Sequence, residues 1–303
     1  MNDIDLVHVH FNPQSLQLLN VLLGFLMFGV ALDIHLSDFR NVLKTPGPVL
    51  VGILCQYMLF PFLTLMIIYA VKPPTSVALG MILVSACPSG NMANYLTHRA
   101  RANVALSVTL NSITVLFASV STPLVYSIWS QFVPDRQSLM QEINIPFSEM
   151  VRIILQVIVL PLLFGMFLTN RYSALVQKIK KPVSTLSLLV FITFLIGAVI
   201  ANRDNILQHL DKIFWLVVMH NALALLMGYT TARLFKLSDS DTRTITIESG
   251  VHNTGLGLLL IFNFFNGLGG MAMIAAFWGI WDLIAPFLLV ELWRRRELKP
   301  KLD

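Results

Sequence analysis

The sequence predicts an all-α protein that crosses a lipid bilayer nine times. Three observations carry that reading. The first is composition: Asp, Glu, Lys and Arg make up 12% of the 303 residues, 56% are apolar, and the mean hydropathy is +0.73. Soluble domains hold about 25% charged residues, and so few charges would leave large apolar patches bare, which soluble monomers avoid. The second is the recurrence of apolar runs near the roughly 20 residues that a spanning helix needs. The third is that two of those runs are interrupted by polar and helix-breaking residues at matching places in the two halves of the chain. A soluble enzyme, a disordered chain and a nucleic-acid binder all fit poorly. The pI of 9.3 and net charge of +5 do not reopen the last of these. The basic residues sit in short spacers between apolar runs, where positive charge sets membrane orientation.

In chain order the runs are Phe11–Leu32, closed by Asp33, His35 and Asp38, then Gly47–Val71, Val77–Arg101, Asn103–Phe132 and Ile153–Asn170. Val183–Ala201, Ile213–Ala232, Asp239–Phe265 and Met271–Val290 complete the nine. Seven are ordinary spans; Val77–Arg101 and Asp239–Phe265 are apolar over one half only. The opening MNDIDLVHVHF has no basic n-region and no cleavage site, so it reads as neither a signal nor a transit peptide. Cys55 and Cys87 lie inside apolar runs and read as small core residues. An odd number of spans puts the termini on opposite sides. With the N-terminus outside, sixteen Lys and Arg fall in the inner spacers and five in the outer ones. That bias predicts N-out, C-in, in the inner (plasma) membrane of a cell.

The third run reads VALGMILVSACPSGNMANYLTHRAR. Val77 to Ala86 would rise only about 15 Å as a helix, half a bilayer. Cys87-Pro88-Ser89-Gly90-Asn91 then puts proline and glycine where helices kink or unwind. The eighth run reverses the order. SDSDTRTITIE is a polar half, with Ser238 or Asp239 as N-cap, Ser249-Gly250-Val251-His252-Asn253 interrupts it, and Thr254 to Phe265 finishes the span. Each interrupted run is followed by one last helix of its half, so the halves read as inverted repeats, the first one helix short. Paired interruptions of this kind mark a transporter binding site near the midplane. The plainer alternative is a pair of ordinary kinks.

Glu248 is the only carboxylate beside the second break. A charge there costs at least about 2.5–3.5 kcal/mol, and such residues usually have a functional partner. A monovalent cation ligated by Glu248, unwound carbonyls and helix C-termini is one reading; a protonated or Arg-paired glutamate holding helices together is the other. Asn103, Ser107, Asn111 and Thr114 recur at spacings of 4, 4 and 3, one helical face. They have the same two readings, ligands or interhelical hydrogen bonds, as does Gln56. Glu248 and His252 stand four apart, but a zinc hydrolase needs H-E-x-x-H and a third ligand. His220 reads as a satisfied core histidine.

The stretches GVALDIHLSDF, GILCQYMLFP, ACPSGNMANYLTHRARANVALSVTLNSITVL and TITIESGVHNTGL together resemble the bile acid:sodium symporter family, in order from about Leu22 to Trp293. That resemblance implies inverted repeats with two crossing broken helices, a core of residues 47–132 and 213–291, and a panel of 11–35 and 148–202. It also implies two sodium sites, the first from Asn94, Ser107, Asn111 and Glu248. The second would use Gln56, Glu248, His252 and the carbonyls of Ser249 and Val251. Asn91, Asn253, Thr254 and Asp282 would face substrate. The chain departs from the family pattern in three places. Ala93 stands where a ligating serine is usual, His252 where glutamine is usual, and Asp282 and Leu283 where some members turn polar residues toward substrate.

The expected function is sodium-driven symport of an organic anion, bile-acid-like or a small carboxylate such as pantoate, by alternating access in the lipid bilayer. No enzyme activity, nucleic acid or protein partner is implied. A proton-coupled or uncoupled carrier of the same fold is the alternative, and an intramembrane hydrolase or a receptor the distant one.

Overall fold

A computed structural model describes residues 3–5, 13–32, 46–90, 92–140, 147–201 and 203–298. Among these no strand forms, and helices occupy all nine apolar runs. They are α1 (Pro13–Ala31), α2 (Pro46–Val71), α3 (Thr75–Ala86), α4 (Met92–Arg99), α5 (Val104–Trp129) and the short α6 (Arg136–Met140). After them come α7 (Phe147–Arg171), α8 (Ser173–Ala201), α9 (Arg203–Leu234), α10 (Asp239–Gly250), α11 (Thr254–Phe264) and α12 (Gly269–Leu298). Among the described residues five stretches, within α2, α5, α7, α9 and α12, are long and apolar enough to cross a bilayer. Three shorter apolar helices accompany them: Leu16–Ala31 within α1, then α3 and α11. The molecule is a multi-pass membrane protein. Asp33, His35, Asp38, Arg40, Lys44, Lys299 and Lys301, used above for boundaries and orientation, lie outside the described residues.

Two helices carry a feature that apolar periodicity does not reveal. In α2 the turn Cys55–Leu59 is a π-helix, and in α7 so is Leu155–Val159. Each is followed closely by a proline, Pro61 and Pro161. A proline offers no N–H and its ring presses on the carbonyl four residues back, so the preceding turn widens and the helix continues. The widened turn of α2 carries Gln56, which is buried.

The helices sort into two packed groups. Helices α1, α7 and α8 pack on one another; α2 to α5 and α9 to α12 form the larger group, with α9 against α10 and α3 against α12 as prominent pairs. The α3–α12 contact is close because glycines make it. A Cβ on Gly80 would lie 2.7 Å from the Met271 Cα, and one on Gly270 would lie 2.1 Å from the Ser76 Oγ. With no solvent to drive helices together in lipid, such small-residue contacts are how membrane helices gain packing.

Polar contacts define the two ends of the bundle. At one end the Tyr69 hydroxyl donates to the Phe132 carbonyl (2.9 Å), and the Asp5 carboxylate accepts from the Ser76 N–H at the start of α3 (2.8 Å). At the other, Arg99 pairs with Glu291 at 2.6 Å and Arg243 lies over the Trp293 ring at 5.6 Å. This second end, which gathers Arg99, Arg101, Arg171, Arg233 and Arg294, is called the basic end below. The smaller group meets the larger mainly away from it, through Phe147–Val159 of α7 on α5 and through α1 on α11; Leu160–Arg171 packs on α1 and α8 instead.

Because the Gly80 contact is to backbone, no side-chain adjustment relieves it. Gly80→Val should lose about 1–3 kcal/mol, the usual cost of overpacking. The expected result is a clearly lower melting temperature in detergent, with Gly47→Val, where a Cβ meets nothing within 4 Å, staying near wild type.

Candidate ion and substrate site

The two interrupted spans meet at their breaks. Helix α3 ends at Ala86, and Cys87 is extended (φ −73°, ψ 146°), the conformation that the ring of Pro88 favours in the residue before it. Helix α10 runs through Gly250 and ends one residue later than the glycine alone suggests, with Val251 extended (φ −118°, ψ 117°). Ser89 and His252 then form an isolated antiparallel bridge. The Asn253 N–H donates to the Pro88 carbonyl (2.8 Å), and the Gly90 N–H donates to the Val251 carbonyl (3.2 Å), which also accepts the Ser89 hydroxyl at 3.1 Å. Two more carbonyls at the breaks have side-chain donors. Gln56 Nε2 reaches the Cys87 carbonyl at 3.3 Å, and Asn221 Nδ2 reaches the Gly250 carbonyl at 2.7 Å. Unwound backbone inside a bilayer is tolerated where protein satisfies it, and here each break is largely satisfied by the other.

Four half-helix ends converge on this crossing. The C-termini of α3 and α10 bring partial negative charge, the N-termini of α4 and α11 partial positive charge. Asn253 caps α11, its side-chain oxygen accepting from the Leu256 N–H at 3.1 Å. Ser238 caps α10 through the Asp241 N–H at the same distance.

Beside the crossing, three oxygens from three helices come together. The Ser107 hydroxyl of α5 lies 2.8 Å from Asn94 Oδ1 of α4 and hydrogen-bonds Glu248 Oε1 of α10. A hydroxyl has one proton, so it serves only one of these two acceptors at a time. Glu248 Oε2 is buried without a protein partner. The result is a cluster rich in hard oxygen acceptors and short of donors, in which Ser107 is fully buried, Glu248 is 6% exposed and Asn94 is half-buried. That donor set fits a small hard cation such as sodium. Among the described residues no three His, Cys, Asp or Glu gather as a metal site would require.

The remaining sequence-derived positions fall as follows. Asn111 is buried on the same helix as Ser107, and its carbonyl accepts from Thr114. Asn103 is not part of that face. It caps α5 through the Leu106 N–H (3.0 Å), and its amide donates to Asp241 at 2.7 Å. Ser249 turns its hydroxyl to the Ile245 carbonyl (2.8 Å). The His252 ring packs on Phe60 (4.7 Å between centroids) and Trp278 (5.8 Å), and the His252 backbone N–H donates to Asp282 Oδ2 at 3.3 Å. His220 completes that aromatic cluster, stacked on Phe60 and bonded through Nε2 to the Thr64 hydroxyl at 2.8 Å. Thr254 begins α11 where α12 passes closely at Gly279, and the Asn253 amide reaches the Met27 sulfur of α1 at 3.8 Å. Asn91 lies outside the described residues. Ser89 and Asn221 were not anticipated; for Asn221 a signal existed, a lone amide in an apolar run, the kind of residue that marks a buried role in a membrane helix.

Crossed broken helices with an acidic oxygen cluster at their meeting point define the class: a multi-pass membrane transporter. Residues 20–209 match the family model described as Sodium Bile acid symporter family, and the chain belongs to that family. Its members are transporters, so the protein is a transporter and not an enzyme. It is 28% identical over 281 residues to the uncharacterized sodium-dependent transporter YocS of Bacillus subtilis, covering 93% of this chain and 84% of that one. It is 28% identical to the probable sodium/metabolite cotransporter BASS1 of Arabidopsis thaliana, over 91% of this chain and 67% of the plant protein. It is 27% identical to the human sodium-dependent organic anion transporter, over 93% and 74%.

Asn221 tests how much the crossing depends on its side-chain donors. Asn221→Ala leaves the Gly250 carbonyl without its amide and should cost about 1–3 kcal/mol. Thr230→Ala, which removes an exposed hydroxyl bonded to its own helix, should stay within about 0.5 kcal/mol. Thermal unfolding of the two purified variants makes the comparison.

Proposed function

We propose that the protein is a sodium-coupled symporter of an organic anion that works by alternating access. The observation that supports this most is the Asn94–Ser107–Glu248 oxygen cluster at the crossing. It has the ligand chemistry sodium prefers, and the relatives named above carry sodium dependence in their names. Sodium here is cargo. The first ion would be held by Asn94, Ser107, Asn111 and Glu248. The second would be held by Gln56, Glu248, the Ser249 and Val251 carbonyls and His252. The Val251 carbonyl already accepts two hydrogen bonds, so a second ion has to share it with the crossing.

The anion would sit where α11 begins, at the capped N-terminus behind Asn253 and Thr254, since helix N-termini attract negative charge. Asn91 and Asp282 would complete its surroundings. Of the family's range, a small carboxylate such as pantoate is preferred to a bile acid. With nine spans the N-terminus would lie outside and the basic end in the cytoplasm, an orientation supported by the excess of Lys and Arg in the spacers there. Helices α2–α5 and α9–α12 would act as the core, and α1, α7 and α8 as the panel it rocks against. Two carboxylates, Glu248 and Asp282, are buried near the crossing. Sodium bound at Glu248 would offset one of them and so favour entry of an anion, which is the physical basis for coupling.

Uptake of organic anions into proteoliposomes, driven by a sodium gradient and compared with potassium, tests the proposal. A carrier indifferent to sodium would move the reading to proton-coupled or uncoupled transport. Glu248→Gln removes a charge–charge attraction of about 4 kcal/mol at 4 Å and an effective dielectric of 20. Sodium affinity should fall by up to about a thousandfold while the protein stays folded. Near wild-type sodium dependence in that variant would take Glu248 out of the mechanism.

Ala93 offers a gain-of-function check. It is fully buried next to Asn94 and packs with Ile247 and Val251. Ala93→Ser should supply the missing hydroxyl and lower the sodium concentration for half-maximal uptake several-fold. An unchanged or higher requirement would show that this position does not face the ion.

A further inference from the structure

The contact between α1 and α11 contains a polar pair that neither the ion site nor the substrate region uses. Asn20 of α1 and Asn263 of α11 exchange hydrogen bonds, each amide donating to the oxygen of the other, at 3.3 and 3.0 Å. Asn263 also donates to the Leu259 carbonyl of its own helix at 2.8 Å. Leu16, Asn20, Leu23 and Met27 recur at spacings of 4, 3 and 4, one face of α1. Met27 meets Asn253 at the crossing, so this face follows α11 from the crossing toward the end opposite the basic one. The ten steps from Asn253 to Asn263 rise about 15 Å along the helix.

We propose that Asn20 and Asn263 form the outer gate latch of the transport cycle. This rests on the alternating-access reading above. In that reading α1 belongs to the panel and α11 to the core, so the reciprocal pair joins two bodies that must part when the site opens outward. The geometry suits a latch. Two half-buried amides matched donor to acceptor satisfy each other where the two helices touch, and separating them leaves four polar groups for the incoming solvent. In lipid an unpaired amide is costly, so the pair holds while the crevice is dry and yields once water enters. An apolar pair at the same place would hold the helices together without that switch. The panel and core pack mainly in this half of the molecule, as expected for a form closed outside and open toward the basic end.

Leu23 lies one turn from Asn20 on the same face and is 1% exposed, so a cysteine there reports opening. Purified Leu23→Cys protein in nanodiscs is treated with a hydrophilic methanethiosulfonate; both faces are accessible, so sidedness does not enter. The native cysteines are buried. Adding Asn20→Ala or Asn263→Ala should raise the labelling rate about three- to tenfold, the effect of losing one or two interhelical hydrogen bonds. The double variant should match the singles, because all three remove the same pair. Unchanged labelling, or effects of the two substitutions that multiply, would overturn the latch. A second arm covers misfolding: in Asn20→Cys/Asn263→Cys, oxidative cross-linking should stop uptake and reduction restore it. Transport by the cross-linked protein would likewise overturn the proposal. Labelling needs no substrate or gradient, so it decides the latch even if sodium-driven uptake fails and the wider reading falls.

Discussion

Backbone groups in the middle of an apolar bundle have to find partners without water and without a continuous helix, and the fold is arranged around that constraint. Each unwound segment uses the other. The Pro88 carbonyl takes the Asn253 N–H and the Val251 carbonyl takes the Gly90 N–H. Once this exchange is fixed, its neighbours have little freedom. Gln56 and Asn221 are held to carbonyls at the two breaks, and Glu248 is held one turn below the second. The half-helix ends then converge with their partial charges opposed. The ion and substrate chemistry proposed for the site is a by-product of solving a hydrogen-bonding problem in lipid.

Much of this was legible in the residues. Apolar run length located the helices, and Pro88, Gly90 and Gly250 located the breaks, because those residues act locally. What was not legible depends on partners far away in sequence. Asn103 shares its spacing with Ser107 and Asn111, yet its backbone leaves the helix there and its side chain becomes a cap. The His252 ring lies among Phe60, His220 and Trp278, which come from three different helices, and no local pattern brings them together. The π-turns before Pro61 and Pro161 were missed for another reason: apolar periodicity tolerates one extra residue in a turn. The glycine at 250 marked the second break but not its boundary, since a helix accommodates glycine at modest cost and α10 passes through it.

Helix α11 connects the parts that would have to communicate in the proposed cycle. Its first turn is capped by Asn253, which is bound on one side to the first break and on the other to Met27 of α1. Its far end holds Asn263 against Asn20. In the proposed cycle a displacement at the crossing would be transmitted along this single helix to the place where the two helical groups touch. The aromatic cluster behind the crossing adds stiffness on the other side, with Phe60 and Trp278 both in contact with the two histidine rings.

The mutual satisfaction of the two breaks also imposes a schedule on biosynthesis. Ser89 and the carbonyl it bonds are separated by 162 positions in the chain. At the roughly 5–20 residues per second of protein synthesis, the first break waits about 8–30 s for its counterpart to leave the ribosome. During that interval its open carbonyls face either lipid, which cannot hydrate them, or some temporary partner. The first broken helix therefore has reason to stay near the translocation machinery, or near the membrane surface, until the eighth span arrives. Truncation before Val251 strands it there, and quality control would meet not a shortened transporter but an unpaired half-helix.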